Sequence, residues 1–335
     1  MKNKIFLCIF IIFTFIYSAY APDSFYEYHR GTYSKYHYYT FEQLKEEEKK
    51  GVKDYELFWY IAIDYADQEQ TDKAIEYVQK AYDLCQDNEE KGKLLSVLSG
   101  IYYESYQFDK AIEACEKALK LLTTSFNKSR VYNKLGRIYE QKKDYEMARY
   151  YYQKSLDTDV NEFSYEPYCG LGCILVKEGK YRKAIPLLKK SIEINDKDYK
   201  SQYVIGYCYN RLKKIDLSHK HYMNALNLLE NPKNKIQKDW LASVNIGLAE
   251  LYLYSKDKEF LSYSKALEYA KKATENPENI EYASYWRVLA DAYYKNNQYE
   301  QAIGAIKKAI EMDPKDEKYK ENLKKYEDAL KNIKK

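Results

Sequence analysis

The sequence predicts an all-α fold built from repeated helix-turn-helix units, and three observations carry that prediction. Gly and Pro are scarce, 11 and 6 of 335 residues, too few turn formers for a many-stranded β protein or a Gly/Pro-rich disordered chain. One motif recurs seven times between residues 55 and 316. At the places in that motif where two helices must touch, only small side chains occur. Length alone would suggest about two domains, but a stacked repeat array uses the same length as one elongated body.

At the N-terminus, Lys2 and Lys4 precede an apolar stretch from Ile5 to Tyr17, and Ser18, Ala19 and Ala21 follow. A positive, then apolar, then small-residue order is that of a secretory signal peptide over residues 1–21. The chain is therefore expected to be exported, whether periplasmic, secreted or associated with a cell envelope. Pro22 suits signal peptidase badly, so an uncleaved signal anchor is the alternative, although the apolar run is shorter than the roughly 20 residues that span a bilayer comfortably. Membrane contact is expected only if that segment is retained. Residues 22–54 form a lead before the repeats. The Tyr-rich string YEYHRGTYSKYHYY has no helical period and reads as disordered rather than as a segment that folds on a partner. Thr40 followed by Gln43 reads as a capping box opening a short helix that Gly51 ends.

The seven copies align over residues 55–88, 92–125, 129–162, 165–198, 199–232, 242–278 and 283–316. Position 8 holds Ala62, Ser99, Gly136, Gly172, Gly206, Ala249 and Ala290. Position 20 holds Ala74, Ala111, Ala148, Ala184, Ser218, Ala266 and Ala302, and position 27 holds Ala81, Ala118, Ser155, Ser191, Ala225, Ala273 and Ala309. Gly, Ala and Ser make up about a sixth of the chain, so 21 matches from those three types are not chance. Large residues fill the complementary position 11: Tyr65, Tyr102, Tyr139, Leu175, Tyr209, Tyr252 and Tyr293. Big beside small is how stacked helices interdigitate.

The motif resembles the tetratricopeptide repeat, a helix-turn-helix unit of 34 residues. The resemblance implies a right-handed α-superhelix, a solenoid of about seven units, with residues 317–335 as a Lys/Glu-rich C-terminal capping helix. It also implies protein binding, with ligands lying against positions 2, 5, 9, 12 and 13 of the first helices. Gln202 and Asn245 depart from the pattern at position 4, where the family favours an aromatic residue. Three extra residues separate each of the first three units, and about five more are inserted in the sixth around Ser255 to Phe260.

Little in the chain converges on catalysis. His219 and His221 are two apart and do not share a helix face, while His29 and His37 lie in the lead, so no triad or metal pair is suggested. Five cysteines remain beyond the apolar leader at scattered spacings; they do not form a disulfide framework. Cys169 and Cys173 lack further ligands nearby and read as small apolar residues. Gly170-Leu171-Gly172 resembles a phosphate-loop fragment but falls inside a repeat helix, where packing accounts for it. No enzyme, cofactor or metal is expected, and a degenerate hydrolase would have to hide its site. With 55 basic against 51 acidic residues and a formal charge of +4, nucleic acid is not an expected partner either.

Aromatic residues are no denser at the expected binding positions than in the chain as a whole. Arginine is different: only seven occur, and Arg130, Arg137, Arg211 and Arg287 occupy such positions. A planar, bidentate donor suits carboxylate or phosphate. Local helix spacing offers Asp291 to Arg287 and Glu140 to Arg137, whereas Arg130 and Arg211 have no acidic residue three or four positions away. Together with Asn133, Lys200, Tyr203 and Tyr207 these residues are expected to line a groove for an acidic or extended peptide. The family's carboxylate clamp, Lys at position 5 with Asn at position 9, is absent. The functional expectation is an exported, non-enzymatic scaffold for protein interaction or complex assembly. The alternative is a glycan- or small-ligand-binding accessory to an envelope enzyme.

Overall fold

The computed structural model describes residues 34–275 and 282–333, so the expected signal peptide and the start of the Tyr-rich lead lie outside the described residues. Among the described residues there are sixteen helices and no strand, which makes the fold all-α. The chain divides into two compact units, Met1–Leu171 and Gly172–Lys335.

The first unit opens with α1 (Phe41–Lys49). Three helix pairs follow: α2 (Tyr55–Asp67) with α3 (Thr71–Leu84), α4 (Asn88–Glu104) with α5 (Phe108–Leu121), and α6 (Ser125–Gln141) with α7 (Tyr145–Thr158). Its last element is the start of α8 (Tyr165–Lys177). The Thr40 hydroxyl accepts from the Gln43 N–H, and the Gln43 side chain accepts from the Thr40 N–H, the reciprocal box that opens α1. Gly51 ends that segment in the left-handed region at φ +85°. The lead just before α1 is ordered, contrary to the sequence expectation. Tyr36 is 1% exposed and donates its hydroxyl to Asp54, and the Ser34 hydroxyl donates to Glu56 at 2.8 Å. A buried ring stabilises by about 1.5–3 kcal/mol, enough to hold a short turn that has no periodic pattern to betray it. Lys45 on α1 donates to the Tyr77 hydroxyl at 2.6 Å, and that hydroxyl donates to Glu48, so α1 covers the start of the array.

The three residues between each of the first three repeats are helical. α4 and α6 each have 17 residues against 13 in α2, because Asp87 and Thr124 cap them early by accepting from the N–H groups of Glu90 and Asn127. Packing between first and second helices follows the large-beside-small rule. The Tyr152 ring of α7 lies between Gly136 of α6 and Gly170 of α8, and a Cβ at either glycine would stand 2.5 Å from a ring atom.

The second unit contains the rest of α8, then α9 (Tyr181–Ile194), α10 (Tyr199–Arg211), α11 (Ile215–Leu228), α12 (Lys235–Tyr254), α13 (Tyr263–Ala273), α14 (Ala283–Lys295), α15 (Tyr299–Met312) and α16 (Glu317–Ile333). α12 is the longest at 20 residues, capped by Asn234. The same tyrosine device recurs: Tyr222 of α11 lies between Gly206 and Gly247, where a Cβ would stand 2.7 and 2.8 Å from its ring. Gln202, one of the two departures at position 4, is matched by His221, whose Nδ1 is 2.8 Å from its Oε1, and burial pushes that imidazole down to about 4. His219 Nε2 lies 2.8 Å from the Tyr252 hydroxyl. Both histidines are packing residues.

Position 11 rings pack on position 23 of their own second helix: Tyr65 lies tilted on Tyr77 at 5.3 Å, while Tyr139 stacks on Tyr151 at 5.4 Å and Tyr209 on His221 at 5.6 Å. In every repeat but the sixth, the turn between the paired helices also shares one geometry. Glu69, Tyr106, Lys143, Lys213 and Asn297 have φ between 59° and 62°, and Gly179 has φ +73°. In the third repeat the Asp144 N–H reaches the Tyr139 carbonyl and the Lys143 N–H the Glu140 carbonyl, both at 2.9 Å, a Schellman-type closure. Left-handed backbone costs a side chain about 1–2 kcal/mol. Lys143→Gly is therefore expected to raise stability by about 1 kcal/mol, seen as a higher denaturation midpoint, and a lowered midpoint would refute it.

Candidate functional site

The expected binding residues fall into two clusters, one in each unit. In the first, α6 carries Arg130, Asn133, Lys134 and Arg137 at a spacing that puts them on neighbouring parts of one helix face. The Arg130 guanidinium lies 5.7 Å from the Phe126 ring and 5.1 Å from the Phe163 ring, which meet edge to face. Arg137 lies over Tyr103 at 5.4 Å and stands 4.0 Å from the Glu166 carboxylate of α8. Spacing along the helix had pointed to Glu140; that carboxylate accepts from the Tyr152 hydroxyl. Asn133 donates to Glu166 through Nδ2, while its Oδ1 is buried without a hydrogen-bond partner.

Lys134 was not expected to matter. It sits at position 6, where the other repeats have Tyr60, Val97, Gly170, Val204, Gly247 and Val288. Only 7% exposed, it donates Nζ to the Ser96 carbonyl of α4 at 2.7 Å. Burial, reinforced by the nearby Arg130 charge, pushes its ammonium down to about 7. Cys115 of α5, in contact with the Ser99 hydroxyl at 2.9 Å, is pushed up to about 11 by burial. An alignment by position would have exposed the lysine, since it is the one ionisable group in that column with an amine.

In the second unit, α10 carries Lys200, Tyr203, Tyr207 and Arg211. Tyr203 packs 5.5 Å from Trp240 and 5.6 Å from Tyr222, and burial raises its phenol well above its ordinary value. Tyr207 meets Tyr181 edge-on at 6.1 Å, and the Arg211 guanidinium lies 5.8 Å from the same Tyr181 ring. Lys200 stands over the Tyr199 ring at 5.7 Å. Arg287 on α14 is already engaged: it donates to Glu250, Asp291 and the Tyr254 hydroxyl, each at 2.9 Å. The Asp291 contact was legible from helix spacing, whereas Glu250 lies 37 residues away and was not. Asp291 also accepts from Tyr326 of α16, which ties the terminal helix to this network and leaves Arg287 a structural role.

The two faces differ in charge. At positions 2, 5, 9, 12 and 13 the first unit has five acidic residues (Glu56, Asp67, Glu104, Glu140, Glu166) against Lys93, Arg130 and Arg137. The second has five basic residues (Lys177, Lys200, Arg211, Arg287, Lys295) against Glu250 and Asp291. Among the described residues no three His, Cys, Asp or Glu side chains are grouped to hold a metal ion. No described helix is long and apolar enough to cross a membrane. Among the described residues Cys85, Cys115, Cys173 and Cys208 form no disulfide.

Profiles of the tetratricopeptide repeat match residues 90–159, 165–198 and 283–316. Among curated proteins, the BBSome complex member BBS4 of Bos taurus is 28% identical over 137 residues, covering 41% of this chain and 23% of that protein. Among solved structures, the Cut9–Hcn1 hetero-tetramer of the APC/C superposes with a TM-score of 0.66 at 13% identity, covering 85% of this chain and 52% of that one. Pseudomonas aeruginosa pilF gives 0.54 at 16% identity, covering 67% of this chain and 92% of that one. The chain thus spans about a quarter of the curated relative and about half of the Cut9–Hcn1 chain. Those structural likenesses are likenesses of fold. Repeated small positions, paired helices, the shared turn and the three profile matches converge on one conclusion: the chain is built of tetratricopeptide repeats.

Proposed function

We propose that the protein is an exported, non-enzymatic scaffold that binds an acidic, extended peptide segment of a protein partner along the first-helix face of its second unit. The observation that carries this reading is Arg211, whose guanidinium lies on Tyr181 with no carboxylate at ion-pair distance among the described residues, while Arg287 is occupied internally. Lys200 and the Tyr203 and Tyr207 rings on the same helix add a cation and two aromatic surfaces, the side-chain types that dominate protein-binding hot spots. Tyr and Arg together can take a peptide carboxylate by charge and the intervening backbone by ring contact. Export rests on the leader at residues 1–21.

The test is binding of a fluorescent Asp/Glu-rich octapeptide to the full chain. The double variant Lys200→Glu, Arg211→Glu is expected to weaken binding at least about tenfold, and added salt to weaken wild-type binding. Unchanged affinity in the double variant would overturn the reading. A signal from neutral oligosaccharides that the variant retains would favour the glycan-binding alternative.

A further inference from the structure

Five aromatic rings of the second unit gather where α10, α12 and α14 run side by side, and only Tyr203 among them stands at a position that the repeat pattern marks for ligand contact. Trp240 of α12 lies edge to face on Tyr203 at 5.5 Å and on Tyr199 at 6.2 Å. Tyr285 of α14 lies 5.5 Å from Tyr282, and its hydroxyl is 2.8 Å from that of Ser243 on α12. The length of α12 is what places Trp240 there. That helix has 20 residues against 13 in α10 and in α14, and its first fully buried residue is Val244. Core packing therefore does not account for its N-terminal turns, where Ile236 is 44% exposed and Trp240, one turn on, is half-buried. The Trp240 indole N–H and the Tyr203 hydroxyl make no hydrogen bond among the described residues, and neither is sealed from solvent.

We propose that this ring-lined ledge binds a proline-bearing stretch of the partner in the polyproline II conformation, with prolines three residues apart, adjoining the acidic stretch taken by Arg211. The inference rests on the acidic-peptide reading of the same face and names the rest of the segment. Helices spend their main-chain groups internally, so the face offers a ligand backbone no strand edge, only side-chain donors. A polyproline II stretch suits such a face. It has no internal hydrogen bonds, its prolines have no N–H to leave unsatisfied, and being preformed it loses little entropy on ordering. Its three-residue repeat, about 9 Å, matches the spacing of packed helix axes, about 8–10 Å. One proline can lie on Trp240 and Tyr203 and the next on Tyr285 and Tyr282, while carbonyls between them accept from the indole N–H and the Tyr203 hydroxyl.

Charge sets the direction of the segment. Burial pushes the Tyr285 phenol up, and the nearby Asp239 and Glu250 carboxylates add to that. Arg287, which holds Glu250, is shared with Asp291. An acidic ligand residue is repelled at this end of the ledge and an uncharged one is not. The acidic part belongs at the other end, beside Tyr207 and Arg211 on α10.

The experiment is fluorescence anisotropy of the full chain with four labelled octapeptides, in which an all-Glu or an all-Ala first half is joined to Pro-Ala-Ala-Pro or to four alanines. Proline is expected to tighten binding about fivefold or more with either first half, and adjacent prolines, Ala-Pro-Pro-Ala, to lose most of that gain. Trp240→Ala is expected to abolish the gain and to leave the affinity of the acidic, proline-free peptide unchanged. Tyr282→Ala, at a residue 57% exposed and outside the core, is expected to reduce the gain. Equal affinity with and without proline, a gain undiminished by either variant, or binding of neutral oligosaccharides that Trp240→Ala abolishes would each overturn the proposal. Failure of the acidic-peptide reading is separately visible, as equal affinity for the Glu and Ala first halves and indifference to Lys200→Glu with Arg211→Glu, with the proline gain intact.

Discussion

Alanine at Gly136 or Gly170 is expected to destabilise the first unit by about 1–3 kcal/mol, although the same change in an unobstructed helix stabilises by about 1 kcal/mol. The sign reverses because the Tyr152 ring has nowhere to go. A methyl at Gly136 would press on one part of the ring and a methyl at Gly170 on another, each at 2.5 Å, so the ring cannot relieve one clash without worsening contact on the other side. Its hydroxyl is also held by Glu140. Gly304 of α15 supplies the internal control, since a Cβ there meets no atom within 4 Å and Gly304→Ala is expected to stabilise by about 0.5–1 kcal/mol. Shrinking the ring should rescue the clash: Gly136→Ala combined with Tyr152→Leu is expected to lose less than the two single changes together. Urea midpoints of the four proteins in that cycle decide the matter. A Gly136→Ala protein as stable as Gly304→Ala would show that the ring is not confined.

The second large effect concerns Lys134. Replacing it with Met is expected to stabilise the protein at pH 7 by a few kcal/mol, about 4 at the upper end, because an amine lowered from 10.5 to about 7 gives up that much on folding. The sign follows from proton counts. Between pH 7 and 10.5 the unfolded chain holds a proton on this amine that the folded chain lacks, so wild-type stability rises with pH across that window. Its slope approaches about 1.4 kcal/mol per pH unit. Below pH 7 both forms are protonated, and the full penalty applies. The Met variant should lose this rise while keeping the fold, since the Ser96 carbonyl still serves its own helix. Denaturation at pH 6.5, 8 and 9.5 tests it; a wild-type protein whose stability does not increase over that range would contradict a buried, neutral amine.

How much of this was legible in the sequence depended on the range of each interaction. Helices, pairing and the small contact columns were legible because they repeat at fixed spacing, as was the Thr40 capping box, which is local. Tyr36 was not, since one buried ring inside a Tyr-rich string leaves no periodic mark. The shared left-handed turn was hidden because it uses Glu69, Tyr106, Lys143, Lys213 and Asn297, and glycine only at Gly179. At the candidate site, the Arg287–Asp291 contact followed from helix spacing. Glu166 beside Arg137 and Glu250 beside Arg287 came from neighbouring repeats, where sequence distance says nothing about proximity. Those contacts also changed the weight of the arginines: two anchor the array, one lies between phenylalanines, and Arg211 lies against Tyr181, with Glu250 acting on it only at longer range.

The confined tyrosines also bear on how such an array can change over evolutionary time. Repeats of this kind invite duplication, loss and exchange, because each unit resembles the next. Tyr152 and Tyr222 restrict that freedom, as each demands glycine both in its own unit and in the unit that follows. Excising the fourth repeat would set Tyr152 against the column that holds Val204 in the fifth, with no room for the ring. Such a chain has a reading order, and its third and fourth units, like its fifth and sixth, are inherited as couples.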